Sequence, residues 1–123
     1  MIPKFLRYIC AMQSPELLKG TLKTIILNLL AENGRMYGYE MVQKVRERSN
    51  GAFELTEGAL YPALHKLEAD GMLVTEKVAI GKRMRKYYSL TPTGTEAHST
   101  KVGEFHAFVR AMQLLLNPPS IVK

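Results

Sequence analysis

Residues 56–71 read TEGALYPALHKLEADG and lead directly into residues 72–90, MLVTEKVAIGKRMRKYYSL. In the first stretch Leu60, Leu64 and Leu67 fall at steps of four and three, which is one apolar stripe of a helix. Thr56 is placed to cap its start, and Asp70-Gly71 supplies its stop. The second stretch alternates around Gly81 and predicts two antiparallel strands, Leu73 to Ala79 and Met84 to Leu90. A two-stranded hairpin is marginal alone, so this one is expected to lean on a helix. Its tip, Gly81-Lys82-Arg83-Met84-Arg85-Lys86, is strongly cationic. A helix with a polar outer face beside such a tip suits a polyanion that has a groove and a flanking backbone.

Working outward, Gly38 to about Arg48 predicts another helix, with Met41, Val42 and Val45 on its inner face, and Asn50-Gly51 predicts a turn. Helix, short connection, helix and hairpin is the order of a winged helix-turn-helix. Pro62 is a local difficulty. A start at Glu57 sacrifices one helical bond, whereas a start nearer Gly58 leaves proline close to the first turn. In either case the N-terminal end of this helix, the end that would enter a groove, has unusual geometry.

Ser14-Pro15-Glu16 is a helix start: a capping hydroxyl, proline at the first position and an acid at the positive dipole end. The helix it begins is expected to reach about Ala31. Leu18, Leu22, Ile25 and Leu29 form one stripe, and Leu17, Ile26 and Leu30 extend it around the cylinder. A helix apolar on two sides is buried on two sides. One side can serve the core, and the other is expected to meet a second subunit. Residues 1–13 place Phe5, Ile9 and Met12 at helical spacing between cations, which fits a short amphipathic helix or a frayed terminus.

Thr91-Pro92 starts the last helix, in which His98, Val102, Phe105, Val109, Met112 and Leu116 recur at steps of four and three. Phe108 and Leu115 widen that seam, and Asn117-Pro118-Pro119 ends it. At ~1.5 Å per residue such a helix spans on the order of 35 Å, more than a small winged domain covers. The seam is therefore expected to pair with another chain. The predicted class is mainly α with a small β-hairpin (α+β). Its parts are an extension at 1–13, a winged helix-turn-helix at 14–91, a dimerisation helix at 92–117 and a tail at 118–123.

The 123 residues fit one domain burying roughly 65% of its unfolded surface. Net charge is +6, and five of 17 basic residues (Lys77, Lys82, Arg83, Arg85, Lys86) fall within ten positions that hold no carboxylate. A charge run alone is usually a solvated loop. Its place on a hairpin after a helix-turn-helix pattern favours a nucleic-acid partner instead. One cysteine, Cys10, cannot form an internal disulfide, and no apolar run nears the ~20 residues of a membrane span. A cytoplasmic protein without membrane contact is expected.

Thr56, Gly58, Tyr61, Pro62, His65 and Lys66 lie off the leucine stripe and form the outer surface of the third helix. Thr56 can donate to phosphate, Gly58 permits close backbone approach, and Tyr61 offers a hydroxyl and a flat face. His65 and Lys66 can reach base edges or phosphate. Taken singly each has a plainer reading, Tyr61 as a packing residue and Lys66 as a solvated one. Only the set beside the basic hairpin carries the DNA reading, in which Lys82, Arg83, Arg85 and Lys86 neutralise phosphates or reach the minor groove. Strand alternation means that these four cannot all face one way; the tip pair, Lys82 and Arg83, is expected to matter most. Catalysis has little support: His65, His98 and His106 are dispersed, and no phosphate-binding loop, serine elbow or zinc spacing occurs. No metal or cofactor is implied.

Leu18-Lys19-Gly20-Thr21-Leu22, Tyr37-Gly38-Tyr39-Glu40, Gly58-Ala59-Leu60-Tyr61-Pro62-Ala63-Leu64, Lys66-Leu67-Glu68 and Arg85-Lys86-Tyr87-Tyr88-Ser89-Leu90-Thr91 together resemble the PadR-like transcriptional regulators of bacteria. The resemblance covers roughly residues 17–116, and the short tail is similar to the subgroup with a single C-terminal helix. It implies a repressor that is a homodimer, the last helix of one chain packing on the first helix of its partner. It also implies a palindromic double-stranded operator read in successive major grooves about 34 Å apart. Many members release DNA when a small aromatic or cationic amphipathic compound binds near the dimer interface. In multidrug-type members a tryptophan of the last helix lines that pore, and this chain has no tryptophan. Phe105, Phe108 and Met112 can line a cavity or fill the seam, and seam packing is the commoner use of an apolar stripe.

For dimerisation the candidate set is Leu17, Ile26, Leu30, Val102, Phe105, Phe108, Val109, Met112 and Leu116. Two rival functions fit the same pattern: a winged-helix protein-interaction module without specific DNA binding, and a sequence-indifferent nucleoid-type protein.

Overall fold

The computed structural model describes residues 15–117. The Ser14 cap, the short helix expected within 1–13 and the Pro118-Pro119 stop lie outside the described residues.

Helix α1 is Pro15–Asn33, strand β1 Arg35–Tyr37, helix α2 Gly38–Arg48 and helix α3 Glu57–Ala69; β2, Leu73–Ile80, β3, Arg83–Leu90, and helix α4, Pro92–Leu116, follow. Each start has a local cause. Glu40 in the first turn of α2 accepts the Tyr37 backbone N–H at 3.0 Å. Thr56 caps α3 by accepting the Ala59 N–H at 3.2 Å, and Thr91 caps α4 by accepting that of Gly94 at 3.0 Å. The third helix begins at Glu57, so Pro62 stands inside it rather than in its first turn. The missing N–H leaves the Gly58 carbonyl without its helical partner.

The three strands form one antiparallel sheet in the order β1-β3-β2. Strand β1 has no counterpart in the sequence-based expectation. It pairs Arg35, Met36 and Tyr37 with Ser89, Tyr88 and Tyr87. On the α3 side of the sheet Met36, Leu73 and Tyr88 are buried, and Thr75 donates its hydroxyl to Glu68 of α3 at 3.3 Å. The hairpin therefore leans on a helix, as a pair of strands must. Burial beneath the helices, with Tyr61 and Glu68 adding to it, raises the Tyr88 phenol above its ordinary pKa.

Leu60, Leu64 and Leu67 are fully buried against Leu22, Ile26, Leu27 and Leu30 of α1 and Met41 of α2 in one core cluster. This corrects two expected dimerisation residues. Ile26 is 0% and Leu30 2% exposed within a single chain, so both are core residues and present nothing to a partner. The reason lies in the contacts of α1, which meets α3, β1, β3 and α4 of its own chain, so that Ile26 and Leu30 are enclosed from more than one side. The start of α4 is fixed on the turn after α3. Thr91 donates its hydroxyl to the Gly71 carbonyl at 2.6 Å, and Gly94 lies so close to the Met72 carbonyl that a Cβ there would collide with it. From that anchor α4 runs out along α1, where the His98 ring donates from Nε2 to the Asn28 side-chain oxygen at 2.8 Å.

Candidate nucleic-acid interface and the open groove

On α3 the leucine stripe faces inward, which turns Gly58, Pro62, His65 and Lys66 to solvent. Among the described residues outside its own helical turn, nothing lies within 4 Å of where a side chain at Gly58 would begin, so the backbone there is open to close approach. Lys66 stands 3.6 Å from Asp70 one turn on, but the lysine side chain is 61% exposed and such a pair separates at little cost. Thr56 is exposed, and its oxygen, while accepting the cap bond, still has a hydroxyl hydrogen to donate. Tyr61 occupies the edge of this face. Its ring lies against Gly38 so closely that any side chain at 38 would strike the hydroxyl. Tyr61 thus joins the two helices of the helix-turn-helix while remaining 36% exposed.

The four hairpin cations divide into two kinds. Lys82 and Arg83, at the tip, are exposed and make no ion pair or side-chain hydrogen bond among the described residues. Arg85 and Lys86 are engaged, on opposite faces of β3. The guanidinium of Arg85 lies 4.0 Å above the Tyr37 ring, on the face turned away from α3. Its hydrogen bond with Tyr87, opposed by desolvation and helped by Tyr37, holds its pKa above the ordinary value. Lys86 points to the α3 side, 3.7 Å from Glu68 and 5.4 Å from the Tyr88 ring centre. The face carrying Arg85 also stacks Arg35 over Tyr87 at 4.3 Å and pairs Arg35 with Glu76 at 2.7 Å.

Two exposed residues join this surface that the sequence-based site does not include. Tyr39, in the first turn of α2, is 55% exposed; its hydroxyl oxygen accepts from the Gln43 amide at 3.1 Å, which leaves the hydroxyl hydrogen free to donate. The available signal is its place in Tyr37-Gly38-Tyr39-Glu40, beside a glycine with no room for a side chain. Lys77 sits directly across from Lys86 in the strand register. Like charges so placed repel, and the charge run contains both.

Away from this surface, α1 and α4 border an open apolar groove of ≈ 830 Å³ that extends to the end of α2 and to Phe53. Leu17, Val102, Phe105, Phe108, Val109 and Met112 of the expected dimerisation set line it. Leu116 does not, and stands 70% exposed beyond it at the helix end. Lys44, Arg48 and His106 are in the lining, and no carboxylate is. Across one edge of the groove a polar chain ties three helices. Asn28 donates from Nδ2 to Glu32 at 3.2 Å, and Glu32 pairs with Arg48 of α2.

Among the described residues no three metal-ligating side chains cluster, and no helix is long and apolar enough to cross a membrane.

Residues 26–100 match the family model described as the transcriptional regulator PadR-like family. The chain is 37% identical over 82 residues to the transcriptional regulator Rv3488 of Mycobacterium tuberculosis, covering 67% of this chain and 73% of that protein. Among solved structures it is similar to a PadR family transcriptional regulator from Eggerthella lenta. There the TM-score is 0.76 at 27% identity, over 94% of this chain and 99% of that one. A transcriptional regulator from Clostridium thermocellum superposes with a TM-score of 0.74 at 29% identity, over 81% and 94% of the two chains.

Proposed function

This chain belongs to the PadR-like family of transcriptional regulators, which are not enzymes, and from that premise we propose that it works as a homodimeric repressor of a palindromic operator. Its winged helix-turn-helix reads duplex DNA with the outer face of α3 in the major groove, and the hairpin holds the adjacent backbone or minor groove.

The observation that carries the pairing is the groove between α1 and α4. One chain leaves Phe108 60%, Leu115 75% and Leu116 70% exposed beside it. An apolar surface of that kind in a monomer marks an association site. The second copy supplies the complement: its own α4, carrying the same residues, lies along α1 of the first chain. A two-fold pairing then presents two α3 helices to one face of a duplex.

Release by a small molecule follows from the same place. The groove's lining includes Ser49 and Phe53, in the segment that leads to α3, so a compound held at that end would reach the connection to the reading helix. The wall is mostly apolar, and its cations Lys44 and Arg48 are paired with Glu47 and Glu32, so that space suits a small aromatic or amphipathic compound.

Selection of bound duplexes from a random pool tests the proposal. Enrichment of an inverted repeat whose half-sites are centred about 34 Å apart is the expected result. Recovery of random duplex without enrichment would make the protein a sequence-indifferent binder, and recovery of no duplex would turn the α3 face over to a protein partner.

A further inference from the structure

The face of the sheet turned away from α3 carries an ordered set of side chains with no cover. Strand register places Arg35, Ser89 and Val74 in one row across it and Tyr37, Tyr87 and Glu76 in the next, followed by Arg85 beside Val78 and Arg83 beside Ile80. The two tyrosine rings meet edge to face at 5.5 Å, and each carries a guanidinium, Arg85 over Tyr37 and Arg35 over Tyr87. Arg35 also holds Glu76, the one carboxylate in these rows. Arg85 makes no ion pair among the described residues. Stacking grips its guanidinium by the flat side, which fixes the fork and leaves its N–H edge for a planar anion.

Lys19, Lys23, Lys101 and Arg110 make no ion pair either, so charge alone does not single out this place. The strand beside Arg85 does. Val74 is 52% and Ile80 42% exposed, and Val78 between them is half-buried, all on this face of β2. A lone exposed apolar residue needs no explanation, but a stripe of three beside a fixed arginine does. None of these residues lines the α1–α4 groove, and α3 packs on the opposite side of the sheet through Thr75 and Glu68.

We propose that this face docks an acidic protein segment, with a carboxylate on Arg85 and aliphatic side chains along Val74, Val78 and Ile80. The two halves of the surface decide the occupant. A second copy of this chain would bring the same arginines, and like charges repel. A nucleic acid would satisfy Arg85 but would set the aliphatic stripe against a phosphate backbone. A protein segment with both kinds of side chain matches both halves, and fixed Arg and Tyr side chains are common anchors of protein interfaces. With α3 in a groove of DNA, this face is left for a protein bound beside the regulator.

The test is selection from a phage-displayed random peptide library, depleted on the V74E variant and then selected on the full parent chain. Peptides that combine Asp or Glu with aliphatic residues are expected to be enriched. They should bind V74E and Arg85→Lys about tenfold more weakly than the parent, because one variant repels the segment and the other keeps the charge but loses the fork. Val74 lies outside the core, the groove and the DNA-reading residues, so V74E should melt, sediment and bind duplex like the parent. Adding a mixed-sequence duplex should leave the selected peptides bound. No enrichment, enriched peptides without carboxylates, or equal binding to Arg85→Lys would overturn the proposal. Displacement of the peptides by duplex would overturn it too, by giving the face to DNA. A parent chain that binds no duplex would overturn the DNA-binding reading alone, because the peptide selection uses no DNA.

Discussion

Helices α3 and α4 carry apolar seams of similar spacing, and the two meet opposite fates. Leu60, Leu64 and Leu67 are all 0% exposed, closed over by α1, α2 and the sheet of the same chain. Along α4, Val102, Val109 and Met112 are half-buried, and Phe108, Leu115 and Leu116 are 60–75% exposed. The first seam is finished by one chain and sets the stability of the fold. The second stays open on one chain, and in the pairing proposed above it sets the assembly. Periodicity alone says that both are buried; the contacts within one chain account for the first and not for the second.

Substitutions separate the two. The largest effect is expected for Leu64→Ala, which leaves a cavity in the sealed seam and costs about 2–5 kcal/mol, a large share of a domain's net stability. A fall in the denaturant midpoint at unchanged slope would show it. In the open seam Phe105→Asp, at a position 38% exposed in one chain, is expected to leave the fold intact and split the dimer. Sedimentation should return the mass of one chain; a variant that still sediments as a pair would remove Phe105 from the interface.

A smaller contrast lies within the hairpin. K82A/R83A is expected to make the salt dependence of DNA binding shallower by ~1.8 in log–log slope, because two phosphates are no longer neutralised. Arg85→Ala, which removes a guanidinium already stacked on Tyr37, should change that slope less. Equal slopes for the two variants would erase the distinction between tip and base.

The smallest effect concerns Tyr88. Its folded pKa is raised by burial, so the neutral phenol's contribution is fully present below the unfolded value, near 10, and is lost as pH rises above it. Tyr88→Phe is expected to be nearly neutral at pH 7 and to flatten the alkaline fall in stability.

Much of this arrangement is legible in the chain. The leucine stripe of α3, the Thr56 and Thr91 caps and the hairpin around Gly81 are local features, each decided within a few residues. Strand β1 is not legible, because three residues carry no periodicity and its partner on β3 lies about fifty positions away. Ile26 and Leu30 read as partner-facing because two apolar stripes on one helix look alike until long-range contacts cover one of them. The division among the hairpin cations is half visible. Alternation separates Arg85 from Lys86, but that Tyr37 and Glu68 occupy them depends on how β1 and α3 dock. Spacing leaves Tyr61 balanced between packing and contact, and the structure gives it the packing role against Gly38 while leaving part of it exposed.

The number of chains that sit on one operator is the most direct measure of the proposed pairing. Light scattering of the protein on a duplex carrying the selected inverted repeat should return two chains per duplex, with both half-sites protected from cleavage. One chain per duplex, or protection confined to a single half-site, would contradict it.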